Sequence, residues 1–241
     1  MDSVALHISN GIVNGTVSLA FVGIAVVVLA ICVARSGADL DDRLAPMAGL
    51  VAAFVFAAQM LNFPVLPGVS GHLLGGALAA MLVGPWVGAL CVATVLVIQA
   101  LLFADGGITA LGLNITNMAL LATASAYLLI VVLLRVLPRT PAGLAITAFV
   151  ASVVSVTVAA QGFVLQYALG GTAAFEGGLS ALALAMAGPH ALIGVGEGLI
   201  AATTVATVAK VRPDLVYAWR RFRRPVTSPT APAPVATGGA A

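Results

Sequence analysis

"IVNGTVSLAFVGIAVVVLAICVAR" (Ile12–Arg35) carries no Asp, Glu, Lys or Arg before its last residue. Crossing the ~30 Å hydrocarbon layer of a bilayer takes about 20 predominantly apolar residues in a helix. The apolar character is continuous, whereas a barrel strand would alternate over about ten residues. The stretch therefore reads as a transmembrane helix. No basic region precedes it, so a retained span is expected rather than a cleaved signal.

The same character extends in both directions. The 241-residue chain is 61% hydrophobic and 7% charged, where a soluble domain carries about 25% charged residues. Apolar segments are read at 12–34, 46–63, 71–84, 85–104, 108–136, 142–167 and 178–209, separated by Gly, Pro or charge. The third is short for a span, and the last is long. Gly188-Pro189 predicts a break within the last one, with 178–188 an outer half-segment and 190–209 the span proper. The fold class expected is an all-α integral membrane protein with seven transmembrane helices. Cys32 and Cys91 lie within apolar runs and read as small buried hydrophobes.

The cations orient this arrangement. Arg35 and Arg43 follow the first segment, Arg135 and Arg139 end the fifth, and Lys210, Arg212, Arg220, Arg221, Arg223 and Arg224 follow the seventh. With seven spans all ten fall on one side, and the positive-inside rule puts the N-terminus outside and the C-terminus in the cytoplasm. Two units follow: a transmembrane domain over 1–211 and a cytoplasmic basic and Pro/Ala-rich tail over 212–241. "YAWRRFRR" (Tyr217–Arg224) suits an anionic inner leaflet, and the Pro/Ala-rich remainder suits a solvated end. The basic residues are not gathered on a folded face, so membrane lipid is the expected contact and nucleic acid is not.

In this topology the three histidines share one level. His7 precedes the first span, His72 opens the third in "SGHLLGGALAA", and His190 opens the seventh in "GPHALIGVGEG", all at the extracytoplasmic side. Imidazole binds late first-row metals. Gly75 and Gly76 follow His72, and Gly194 follows His190, at helical spacing; they read equally as room for a cavity or as close helix packing. Glu197 is an ionisable residue within a span and so a functional candidate, in contact with an ion or orienting His190. Asp105, in "QALLFADGGITALGLNITNM", reads equally as an exposed loop acid or a site residue. Asn114 and Asn117 share a helical face and are expected to bond across helices. In the second segment, Ala48 and Ala52, and Ala53 and Ala57, are small residues four apart that would let another helix approach. No G-x-x-x-x-G-K-[ST], CxxC or HExxH occurs, so an ATP-driven step needs another subunit and an enzyme is not expected.

"HISNGIVN", "SGHLLGGALAAMLVGPW", "QALLFADGGITALG" and "HALIGVGEGLI" together resemble the CbiM/NikM family, the substrate-specific components of energy-coupling-factor transporters for cobalt and nickel. The resemblance implies seven spans, an extra N-terminal helix on a six-helix core, and residence in the bacterial cytoplasmic membrane. It implies Co2+ or Ni2+ as transported substrate, with no bound organic cofactor. The implied partners are a transmembrane coupling (T) subunit, two ATPase subunits and, in many members, a small accessory membrane protein. The family's metal site uses the amine of an initiator Met, the following His and the His of the S-G-H segment, which carries over to His7 and His72. The Met position corresponds to Leu6, and an expected translation start there would supply the amine. Asn10 stands where the family usually has an acid. His190, Glu197, Asp105 and Asn10 are the candidate supporting residues. The rival readings are a self-sufficient secondary divalent-metal transporter, which calls for ionisable residues along its whole pathway, and a structural membrane protein, which needs no three histidines at one level.

Overall fold

The computed structural model describes residues 7–37, 44–60, 62–66 and 69–221. It is helical apart from one β-hairpin. The helices are α1 (Gly15–Ser36), α2 (Leu44–Met60), α3 (Gly76–Val83), α4 (Pro85–Leu102), α5 (Leu111–Asn114), α6 (Ala122–Val136), α7 (Pro141–Gly170), α8 (Gly178–Val211) and α9 (Tyr217–Arg221). The hairpin pairs β1 (Phe63–Leu66) with β2 (Val69–Gly71) in antiparallel register, Phe63 opposite Gly71. Among the described residues, five helical runs are long and apolar enough to cross a membrane: α1, α4, the run Ile108–Val136 that contains α5 and α6, α7, and α8. Leu6 and the tail beyond Arg221 lie outside the described residues, as does Arg43.

α1 begins where Asn14 caps it, the Asn14 side chain accepting from the Val17 N–H at 3.0 Å. Its buried residues are Ser18, Ala25, Cys32 and Ser36, a stripe of small side chains at roughly seven-residue spacing. The rest of its surface is Leu, Val and Ile, with Leu19 71% and Val26 61% exposed, as suits a helix that touches the bundle along one seam and otherwise faces lipid.

The expected third segment differs from the observed structure. β1 and β2 form the hairpin, 72–75 carry no regular secondary structure, and only the eight residues of α3 are helical. Eight residues rise about 12 Å, too short to cross, and every residue of α3 is buried. α3 is therefore the centre of the core rather than a lipid-facing span. Gly75 (φ +83°) and Gly84 (φ +87°) bound it in the left-handed half of backbone space. The break predicted at Gly188-Pro189 is also corrected, because α8 runs unbroken through Pro189. Proline removes one intrahelical N–H and crowds the carbonyl four residues earlier. The carbonyl so freed is that of Ala185; nearby, His190 Nδ1 reaches Met186 O at 2.7 Å, and Gln161 Nε2 of α7 donates to Ala183 O at 3.1 Å.

Among the described residues, α7 and α8 form the most extensive helix pair. A Cβ at Gly194 would lie 2.8 Å from Val153 Cα, and one at Gly198 would lie 2.7 Å from the Phe149 ring. Gly194 thus serves close packing rather than space beside His190. Gly76 does the same, with a Cβ there 3.1 Å from that of Ala122. At the far end of α3, α9 folds back under the bundle, and the Tyr217 ring occupies the space beside Gly84. Tyr217 and Ala218 are buried.

Candidate metal centre

The residues before α1 lie across one end of the bundle and are tied down on two sides. Asn114 clamps Ile8, accepting its N–H at 3.1 Å and donating Nδ2–H to its carbonyl at 3.3 Å. Gly107 N–H donates to the same carbonyl at 2.9 Å. Asn10 Oδ1 accepts from the backbone and hydroxyl of Thr109 at 3.0 and 2.7 Å. On the other side Thr172 donates to the carbonyls of Gly11 and Ile12, and Asn14 N–H to Gly170 O at 2.7 Å. The D-G-G turn makes this contact possible. A Cβ on Gly107 would lie 2.3 Å from Asn10 Oδ1, and one on Gly106 (φ +85°) would lie 2.8 Å from His7 Cβ.

This clamp delivers His7 to His72. Their rings meet edge to face, centroids 4.8 Å apart and planes at 79°, and both residues are buried. His7 Nδ1 lies 3.3 Å from Asp105 Oδ1 and 3.4 Å from Asp105 O. Both neighbours can only accept, so Nδ1 carries the proton. Among the described residues, Nε2 of His7 is buried without a hydrogen-bond partner. His72 Nδ1 likewise donates to Leu73 O at 2.9 Å. One cavity of about 250 Å³ is lined by His7, His72 and His190, together with Asn114, Asn117, Met118, Met186 and apolar side chains.

The sequence-predicted residues thus divide. His7, His72 and Asp105 converge; Asp105 is not an exposed loop acid, its side chain being 9% exposed. His190 shares the cavity wall but turns Nδ1 back to Met186. Glu197 does not orient His190: its Oε2 accepts the N–H groups of Leu74 and Gly75 at 2.7 and 3.2 Å. Asn10 tethers the turn at Thr109. Asn117 bonds across helices as expected, donating to Gln166 Oε1 at 2.8 Å. Sequence reasoning missed Gln59, whose Nε2 donates to Leu74 O at 2.7 Å. Its signal was an amide buried in an otherwise apolar helix.

Among the described residues no three His, Cys, Asp or Glu side chains are grouped to hold a metal ion. Two imidazoles oriented by their Nδ1 hydrogen bonds can bind a borderline divalent ion, with backbone or solvent donors completing its coordination. A helical membrane bundle that presents an imidazole pair to a cavity at one end defines a class of metal-handling membrane protein. Residues 7–215 match the family model described as the cobalt uptake substrate-specific transmembrane region, CbiM. The chain belongs to that family. It is 39% identical over 211 residues to an Archaeoglobus fulgidus protein provisionally named fused nickel transport protein NikMN, covering 88% of this chain and 68% of that one. It is 30% identical over 221 residues to the cobalt transport protein CbiM of Sorangium cellulosum, covering 88% and 94%. A crystal structure of a truncated transition metal transporter superposes with a TM-score of 0.73 at 28% identity, covering 85% of this chain and 99% of that one.

Proposed function

We propose that the chain is the substrate-binding membrane subunit of an ATP-driven uptake transporter for Co2+ and/or Ni2+, capturing the ion at the extracytoplasmic face of the bacterial cytoplasmic membrane. The observation that carries this reading is the buried His7–His72 pair at the cavity wall. Membership of the CbiM family supports it. The orientation is supported by helix polarity: α1, the 108–136 run and α8 start at or near the His7 end and carry Arg35, Arg135 and Lys210 in their last turns. Seven membrane-associated units result when α2 and the buried α3 are counted with the five long runs, with α1 as the addition to a six-unit core.

His7 and His72 are the side-chain ligands in this reading, and Asp105 holds His7. Closing a chelate ring between the His7 amide nitrogen and its own imidazole uses Nδ1, the nitrogen that here faces Asp105. A half-turn of the ring exchanges the two edges. We assign that arrangement to a chain whose amine stands at position 6, and ligation through Nε2 to a chain that continues upstream. The partners are a transmembrane coupling subunit and two ATPases, with a small accessory membrane protein. ATP hydrolysis belongs to them, since this chain has no phosphate-binding motif. Uptake of radiolabelled Co2+ and Ni2+ by cells with and without those partners tests the proposal. Accumulation that requires them, and is lost on ATPase mutation, is expected. Accumulation by this chain alone would support the secondary transporter instead.

A further inference from the structure

Two carboxylates serve the imidazole pair, and only Asp105 touches an imidazole. We propose that Glu197 is a positioning residue for His72, acting through the Leu73–Leu74 peptide group. This rests on the reading of His72 as a ligand to the transported ion. In a trans peptide the C=O and N–H point in opposite directions. Glu197 Oε2 accepts the N–H of Leu74 at 2.7 Å, and at the other end of the same peptide Leu73 O accepts Nδ1–H of His72 at 2.9 Å. A carboxylate on the N–H polarises the group and makes its carbonyl oxygen a stronger acceptor. That acceptor fixes the Nδ1–H tautomer and leaves the Nε2 lone pair for the ion, the service a carboxylate gives a metal-bound histidine directly.

The next peptide is held in the same way. Gln59 Nε2 donates to Leu74 O at 2.7 Å, and Gly75 N–H donates to the same Glu197 oxygen at 3.2 Å. Gly75 has φ +83°, and a Cβ there would lie 2.7 Å from a Val55 methyl. The segment after His72 is therefore gripped from α2 by Gln59 and Val55 and from α8 by Glu197. Glu197 is 3% exposed, and among the described residues its Oε1 has no hydrogen-bond partner. A side chain needed only to fill this space would be served by a neutral isostere; the positioning role uses the charge.

The test takes the full-length purified chain as wild type, Glu197→Gln and Glu197→Ala. Ni2+ affinity is measured by calorimetry. In the metal-free protein, the His72 tautomer is read from imidazole 15N shifts and hydrogen exchange is followed over residues 70–78. Glu197→Gln keeps the exchange protection but binds about tenfold more weakly; Glu197→Ala binds about 100-fold more weakly, loses the protection and mixes His72 tautomers. Wild-type affinity and tautomer in Glu197→Ala overturn the proposal. If that variant fails to fold, wild-type affinity and tautomer in Glu197→Gln overturn it equally. A wild-type chain that binds no Ni2+ contradicts the proposed function instead, while the metal-free shifts and exchange still judge Glu197.

Discussion

At the scale of single residues, the site depends on what each polar group is denied as much as on what it receives. Among the described residues, Nε2 of His7 is buried without a partner, a cost of roughly 1–3 kcal/mol for a polar group left unmade in an interior. An ion bound there, as proposed, would relieve that cost. His72→Ala should lower Co2+ or Ni2+ affinity by roughly 100-fold or more, measured by calorimetry, with membrane insertion unchanged. Unaltered affinity would remove it from the site. Asp105→Asn keeps the shape of the acid but loses its charge, so a loss of about 10–100-fold is expected. Gly107→Ala acts through position alone. Its new Cβ would lie 2.3 Å from Asn10 Oδ1 and 2.4 Å from Asn10 N, so the His7 segment must lift. Metal affinity should fall while the thermal unfolding of the bundle changes little; equal affinity would show that the clamp is not needed.

At the scale of elements, the long apolar runs were legible because lipid leaves a helix no alternative to internal hydrogen bonding. The exceptions occur where tertiary contacts outweigh local signals. The stretch 71–84 is apolar enough to read as part of a span, yet Gly75 and the grip of Glu197 and Gln59 keep 72–75 out of the helix, and α3 starts only afterwards. Pro189 carried a strong break signal, yet α8 runs through it, with side-chain donors from His190 and Gln161 on the nearby carbonyls of Met186 and Ala183. The histidine pair was legible from the resemblance. Asp105 beside His7 was not, because a contact across 98 residues depends on how the chain end is clamped. Glycine spacing could not separate cavity from packing, and the close helix approaches decide for packing at Gly76 and Gly194. Gly194→Leu would force a side chain into α7, and overpacking of this kind costs about 1–3 kcal/mol. A lowered melting temperature is expected; an unchanged one would contradict the close α7–α8 contact.

At the scale of the whole molecule, the proposed function would place capture and coupling on separate surfaces. The His7–His72 cavity lies at one end of the bundle, whereas α2 presents a lateral face. Ala48 and Ala52 of the small-residue set pack against the core, while Gly49, Ala53 and Ala57 are exposed at four-residue spacing. Ala53 also lines a groove between α2 and α8. Ala53→Leu should therefore reduce partner-dependent uptake while metal binding by the isolated chain persists, and loss of both together would indicate misfolding instead. The central claim is that this chain itself holds the transported ion between His7 and His72. X-ray absorption spectroscopy of the purified, Co2+- or Ni2+-loaded chain tests it most directly, because imidazole rings give a distinct outer-sphere scattering pattern. Two imidazoles are predicted in the wild type and one in each of His7→Ala and His72→Ala; two imidazoles persisting in either variant would contradict the account.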